Sequence, residues 1–248
     1  MSPPENMADD ALSQVREGLV VLYVFDQHRL EQCREWLRSL LDDDEIIRAQ
    51  RLVSAADRDS FGLRRGIRRA VLGQHLGCDP REVRYGGSPG GRPHLHEMHA
   101  TGIEFSASAT TGLIAIAVAD GCRVGVDVEA GPITELKGLA DLTLGPRERR
   151  RLASETDPSG WLLRTFACKE ALGKVRGTGL ADVLFVDVCW SEEQPFVYRE
   201  GDAVFTALNV MDWAPVACAV AWEGTPGKLG PWIVPEGYLG SHIPTACH

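Results

Sequence analysis

Strand-like and helix-like stretches alternate along the 248-residue chain in an order that occurs twice. Residues 18–26, GLVVLYVFD, form a β-branched and aromatic run of strand length. Residues 28–41 and 45–77 follow, rich in Arg, Leu, Ala and Glu. Apolar positions such as Phe61, Ile67, Val71 and Leu72 recur there at helical spacing until Gly77 stops the second segment. RYGGSPGGRPHL, residues 84–95, is dense in Gly and Pro and reads as a loop. IEFSAS (103–108) and LIAIAVA (113–119) predict a hairpin turning through Thr110, Thr111 and Gly112, and RVGVDVEA (123–130) predicts the next strand. Helical spacing resumes through PRERRRLASE (146–155) and WLLRTFACKEALGKV (161–175), halted at Gly177 and Gly179. Strand-like runs then return as LFVDVCW (184–190), PFVYRE (195–200), AVFTALNV (203–210) and VACAVAWE (216–223). The pattern predicts an α+β protein of two similar halves, residues 16–120 and 121–223. A disordered lead-in (1–15) and a tail (224–248), either ordered by docking or loose, flank them, and no residue-level repeat accompanies the doubled order.

Composition narrows the class. Hydrophobic residues are 44% and charged residues 25%, and no apolar stretch approaches the roughly 20 residues that cross a bilayer, so no membrane span is expected. The first residues, MSPPENMADD, are polar and acidic and lack the basic start and apolar centre of a secretion signal, which points to the cytoplasm. Seven cysteines, an odd number without a CxxC pair, fit reduced thiols better than a disulfide framework or a zinc knuckle. A net charge of -9 argues against a general nucleic-acid binder, although RRGIRR (64–69) and PRERRRL (146–152) are locally basic. A monomer is expected.

The candidate chemistry begins in RVGVDVEAG. On a strand, Asp127 and Glu129 project to one side while Val126 and Val128 enter the core, so two carboxylates stand in parallel and repel. A hard divalent cation turns that repulsion into binding, as oxygen ligands do for Mg²⁺ beside phosphates. Alone, the triplet reads first as a solvated acidic strand edge. A second segment, FACKEALGKVRGTGL (166–180), places Glu170 and Lys174 four residues apart on one helix face. A surface ion pair accounts for that spacing, but not for Gly177 and Gly179, whose Cβ-free backbone would let a phosphate or another chain approach.

GVDVE followed about 40 residues later by KEALGKVRGTGL resembles the paired signature of the 4'-phosphopantetheinyl transferases. The resemblance is to the larger type, which activates surfactin synthetase and other nonribosomal peptide and polyketide synthases. GRPHL (91–95) looks like that family's Gly-Lys-Pro-x-Leu loop. FSASATTGLIAIAVA stands in the place of its Phe-Asn-x-Ser-His-Ser segment, and SFGLRRGIRRAVLG resembles its arginine-bearing helix. Together these matches run from about residue 45 to residue 222.

The resemblance implies a fold of two α+β halves related by a pseudo-twofold axis. It implies transfer of the phosphopantetheine arm of coenzyme A to a serine of an acyl or peptidyl carrier protein of polyketide, nonribosomal peptide or fatty acid synthesis, with release of 3',5'-ADP. By the same analogy Asp127, Glu129 and Glu170 would hold Mg²⁺ against the pyrophosphate. Glu170 would also take the proton of the carrier serine, and Lys174 would steady the phosphate under attack. Arg65, Arg92, Pro93, Ser108 and Lys169 would join Lys174 in binding coenzyme A, with Gly91 shaping the loop. Where the family has Ser-His this chain has Ser108 and Ala109, and Ser106 replaces its Asn; Phe166 replaces its usual Trp. A methyl neither donates a hydrogen bond nor carries charge, so the change opens an alternative. The chain would then favour dephospho-coenzyme A, or be a repurposed relative that binds or modifies carrier-tethered intermediates without arm transfer. His94, His96 and His99 lack a carboxylate partner with ligand spacing beyond Glu97, and no GxSxG or other triad signature appears.

Overall fold

The computed structural model describes residues 19–86, 93–99, 101–184, 186–188, 196–213, 216–224 and 231–234. Expectations that fall on the lead-in, on Gly91 and Arg92, and on most of the tail lie outside the described residues.

Strand β1 (Val20–Asp26) is buried on both faces along most of its length, which is why its sequence runs apolar without alternating. A capping box at Asp42 and Glu45 starts helix α2 (Asp43–Gln50) after helix α1 (Arg34–Ser39). The expected segment 45–77 is in fact two helices. Residues 51–54 break it, and the Ser54 side chain caps a new helix, α3 (Ala55–Leu76), by accepting from the Asp57 amide. Gly77 ends α3 in the left-handed conformation, φ 66°.

The hairpin forms as predicted. β2 (Ile103–Thr110) and β3 (Leu113–Asp120) pair antiparallel around Gly112, φ 83°, and β4 (Val124–Ala130) follows. Helices α4 (Leu136–Thr143), α5 (Pro146–Leu152) and α6 (Pro158–Arg176) come next, then β5 (Phe196–Glu200), β6 (Ala203–Trp213), β7 (Val216–Glu223) and β8 (Pro231–Val234). One expectation is corrected here, and one is narrowed. The described part of residues 184–190 is not a strand: a short 3-10 turn at Leu180–Asp182 leads into irregular chain in which Val183 and Val188 are buried singly. The tail, for its part, contributes β8, which pairs parallel with β1.

Two four-stranded sheets result, in the orders β8-β1-β3-β2 and β4-β7-β6-β5. Period-two alternation assigns their faces. Val20, Leu22, Val24, Ala115, Ala117 and Ala119 of the first sheet meet Val124, Val126, Val128, Cys218, Val220 and Trp222 of the second. The other face of the first sheet, through Val21, Tyr23, Phe105 and Ile116, packs on Ile67, Val71 and Leu72 of α3. The outer face of the second carries Ala217, Ala219 and Ala221, small enough for Ala167, Ala171 and Leu172 of α6 to lie close. The layers are therefore helix, sheet, sheet, helix, an α+β architecture.

Candidate active site

Alternation along β4 sends Val124, Val126 and Val128 into the inter-sheet core and turns Gly125, Asp127 and Glu129 toward α6. Gly125 governs the approach of that helix. A Cβ at this position would collide with the Ala171 carbonyl oxygen and come within 2.8 Å of the Val175 amide nitrogen. The bare backbone lets α6 settle on β4, and Lys174 then reaches across it. Lys174 Nζ donates to Asp127 Oδ1 at 2.7 Å and to the Val126 carbonyl at 3.0 Å.

Asp127 receives a second donor from the other sheet, the Ser108 hydroxyl of β2, at 2.8 Å on the same Oδ1. Its neighbour Ser106 accepts from the Val126 amide at 3.1 Å, so two serines of β2 stitch the edge of one sheet to the edge of the other. Asp127 is only 3% exposed, and its Oδ2 is buried without a hydrogen-bond partner. Unpaired buried carboxylate oxygens are costly, so this atom is a donor in waiting for a cation.

Glu129 and Glu170 are half-buried on either side. Burial, then the charges of Asp127 and Glu170, push the Glu129 carboxyl up to about 7, against a smaller pull from Lys174. Glu170 is raised by burial and then by Asp127, again opposed by Lys174. The three carboxylates therefore feel one another's charge across β4 and α6. Among the described residues no three His, Cys, Asp or Glu side chains are drawn together as a closed metal cluster. The donor set nonetheless fits a hard divalent cation: all oxygen, one atom buried and unpaired, and an excess of negative charge that a cation relieves.

On the far side of Ser108 lies a cavity of about 360 Å³. Ala107, Ser108, Ala109 and Pro93 form one wall, and Phe61, Arg64, Arg65 and Arg68 of α3 the other. Arg65 stacks over the Phe61 ring, 5.1 Å from its centroid. Burial, followed by the charge of Arg68, lowers its pKa to about 10, the mark of a guanidinium in a positively charged, partly desolvated place. Ser108 thus stands between a basic cavity and the acidic cluster.

The structure brings Asp127, Glu129, Glu170, Lys174, Ser108, Arg65 and Pro93 to this seam; Arg92 lies outside the described residues. Lys169, expected to bind coenzyme A, does not join them. It is fully buried, and its ammonium donates to Glu148 at 2.6 Å and to the Thr143 and Leu184 carbonyls at 2.7 and 2.8 Å. One residue before Glu170, it projects from α6 about 100° round the axis from it and fastens α4, α5 and Leu184 to that helix. Gly177 and Gly179 both lie at positive φ, 75° and 79°, with open space where a Cβ would stand. They turn the chain back on itself, and Gly173 is bare because a Cβ there would lie 2.6 Å from the Gly179 carbonyl oxygen. The histidines are structural: His96 Nδ1 accepts from the Met98 amide and His99 Nε2 from the Arg84 amide.

Arg64 and Arg68 line the cavity without having been singled out in the sequence. The signal was present in RRGIRR, since positions 61, 64, 65 and 68 share one helix face. What hid Arg68 was its place among four arginines within six residues.

Comparison with known proteins supplies the family. Residues 123–221, from β4 to β7, match the model of the 4'-phosphopantetheinyl transferase superfamily. The 4'-phosphopantetheinyl transferase HetI of Nostoc sp. is 32% identical over 192 residues, 76% of this chain and 81% of the relative. The L-aminoadipate-semialdehyde dehydrogenase-phosphopantetheinyl transferase of Eremothecium gossypii is 32% identical over 161 residues, 57% of each chain. A holo-(acyl-carrier-protein) synthase of Thiobacillus denitrificans is 49% identical over 53 residues, 21% of this chain and 40% of the relative.

Proposed function

Because the chain belongs to the 4'-phosphopantetheinyl transferase superfamily, we propose that it transfers the phosphopantetheine arm of coenzyme A to a serine of an apo acyl or peptidyl carrier protein and releases 3',5'-ADP. The observation that carries this reading is Asp127, held by Lys174 and Ser108 with its second oxygen buried and unpaired, at the junction of an acidic cluster and an arginine-lined cavity.

In this reading the nucleotide end of coenzyme A enters the cavity between α3 and β2, with Arg64 and Arg65 facing its phosphates. Asp127, Glu129 and Glu170 would hold Mg²⁺. Bound there, it would supply positive charge against the pyrophosphate. Glu170, whose carboxyl is raised by burial and by Asp127, accepts the proton of the carrier serine, directly or through water. The serine oxygen forms its bond to the phosphorus carrying the arm as the pyrophosphate P–O bond breaks and 3',5'-ADP departs. Lys174 Nζ, already fixed by Asp127 and the Val126 carbonyl, presents a positive charge to the phosphate under attack. The chain is read as two halves, residues 16–120 and 121–223, each framed by one sheet with β8 of the tail added to the first, and the reaction is placed at their seam. Exposed arginines of α5, Arg147, Arg149, Arg150 and Arg151, are available to an acidic carrier.

The alternative, a relative that handles carrier-tethered intermediates without arm transfer, draws on Ala109, which offers the cavity only a methyl group. One experiment separates the two. The protein is incubated with coenzyme A, Mg²⁺ and a panel of apo carriers, and the carriers are weighed by mass spectrometry. Arm transfer adds the mass of phosphopantetheine to at least one carrier; unchanged masses throughout, together with binding of a holo or acyl carrier, overturn the proposal.

A further inference from the structure

Ser106 and Ser108 share one face of β2, the face turned to the second sheet, because Phe105, Ala107 and Ala109 pack on the opposite side toward α3. Where the two sheets meet, the side chains are otherwise apolar. Ser108 also lines the cavity; Ser106, 5% exposed, is not one of its lining residues among those described. A buried serine beside an apolar layer marks a backbone group that needs a partner.

That group is the Val126 amide. β4 is an edge strand, bonded within its sheet to β7 on one side only. Where the pairing starts, the Glu223 amide donates to the Arg123 carbonyl at 3.0 Å, which sets the phase of the ladder. In an antiparallel pair, alternate residues turn both backbone groups toward the partner strand or both away from it. Gly125 and Asp127 therefore face β7 with their backbone, and Val126 turns its N–H and C=O to the free edge. Side chains claim both: Ser106 Oγ accepts from the amide at 3.1 Å, and the carbonyl accepts from Lys174 Nζ at 3.0 Å. Val126 is fully buried, so neither group can turn to water instead.

We propose that Ser106 is a positioning residue of the transfer reaction, acting through the backbone of Val126 on Lys174 and Asp127. The inference rests on the reading that this acidic cluster is the transfer site. The amide that Ser106 holds and the carbonyl that anchors Lys174 belong to one residue, and that carbonyl lies in one rigid peptide plane with the Asp127 amide. Ser108 fixes the Asp127 carboxylate, whereas Ser106 fixes the strand that carries it. Without the Ser106 oxygen a buried N–H is left with no acceptor. The strand edge relieves that cost by shifting, and the carbonyl anchor of Lys174 moves with it.

Three substitutions test this. Ser106→Ala and Ser106→Cys remove the good acceptor, the second with little change in volume, and Ser106→Thr keeps it. Each variant is assayed for transfer per folded molecule and, independently of activity, for amide hydrogen exchange. In the Ala and Cys variants kcat falls about ten- to hundredfold, the scale of an orphaned buried donor, while the Michaelis constant for coenzyme A stays within about threefold. The Val126 amide exchanges at least about tenfold faster, and the amides of β6 and β7 keep their protection. Ser106→Thr regains at least about threefold of the kcat lost in Ser106→Ala; should its extra methyl prevent folding, the Ala and Cys variants decide. An unchanged kcat per folded molecule, a rise in the Michaelis constant alone, or exchange accelerated throughout the sheet overturns the inference and leaves the proposed function standing. Absence of transfer by the wild-type protein removes the proposed function, and this role of Ser106 with it.

Discussion

Gly125 and Ala171 meet backbone to backbone: no side chain fits between β4 and α6 at that point, and the Ala171 carbonyl occupies the place a Cβ would take. The contact sets the distance over which Lys174 and Glu170 face Asp127. Gly125→Ala therefore lowers stability by about 1–3 kcal/mol, the usual cost of overpacking. It also lifts α6 from β4, so whatever fraction folds loses transfer activity. A thermal melt combined with activity per folded molecule measures both; full activity in a destabilised variant would contradict the link.

Asp127 is the residue on which donors from both sheets converge. Asp127→Asn keeps the volume but removes the charge that Lys174 and Ser108 address at 2.7 and 2.8 Å. Metal affinity, followed by Mn²⁺ titration in the absence of coenzyme A, drops at least about tenfold, in line with the loss of one charge-assisted ligand. Transfer activity falls further, because Lys174 loses the partner that orients it. Unaltered Mn²⁺ binding would exclude Asp127 as a ligand.

The raised carboxyl of Glu129 gives a pH dependence with a definite sign. Its folded-state pKa is about 7 against an ordinary 4.5, so between those values the folded protein holds a proton that the unfolded chain has released. Its contribution to stability is complete below about 4.5 and is lost as pH rises to about 7. Metal-free protein accordingly melts at lower temperature at pH 7.5 than at pH 5, and Glu129→Gln flattens the slope. A slope unaffected by the substitution would show that the other buried groups carry it.

Lys169 provides the converse case, a functional-looking residue with a structural task. Lys169→Met leaves Glu148 buried with its Oε1 and Oε2 on the Val188 and Gly145 amides but without its cation. Breaking such a pair costs about 3–5 kcal/mol. The melting temperature drops steeply, while the Michaelis constant for coenzyme A in the folded fraction stays near that of the wild type. A large rise in that constant with unchanged stability would restore Lys169 to the binding set.

Much of this was legible in the sequence because it depends on local period. Alternation in VGVDVEA placed the carboxylates of β4 on one face, the Thr110–Gly112 turn marked the hairpin, and the four-residue step from Glu170 to Lys174 put both on one face of α6. What escaped was decided by contacts distant in sequence. Lys169 reads as part of a motif until Glu148, 21 residues away, claims it. LFVDVCW has strand composition, yet Val183 and Val188 anchor an irregular segment beside Lys169 instead of pairing. Arg68 and Arg69 are indistinguishable in RRGIRR, and only the allotment of Glu45 between them separates a saturated guanidinium from one that faces the cavity.

Ser108 joins the two chemistries, lining the basic cavity while its hydroxyl holds Asp127 Oδ1. If its task were mainly to contact coenzyme A, Ser108→Ala would raise the Michaelis constant for coenzyme A and leave metal affinity alone. The 2.8 Å bond to a buried carboxylate argues for the other outcome. Removing it leaves Asp127 with Lys174 as its remaining side-chain donor and frees the carboxylate to rotate, costing about 1.5–3 kcal/mol of the geometry that presents Oδ2. Mn²⁺ affinity and kcat then fall together by about ten- to hundredfold, and Ser108→Thr, which returns the hydroxyl, restores most of both. An isolated effect on coenzyme A binding would reassign Ser108 to the cavity alone.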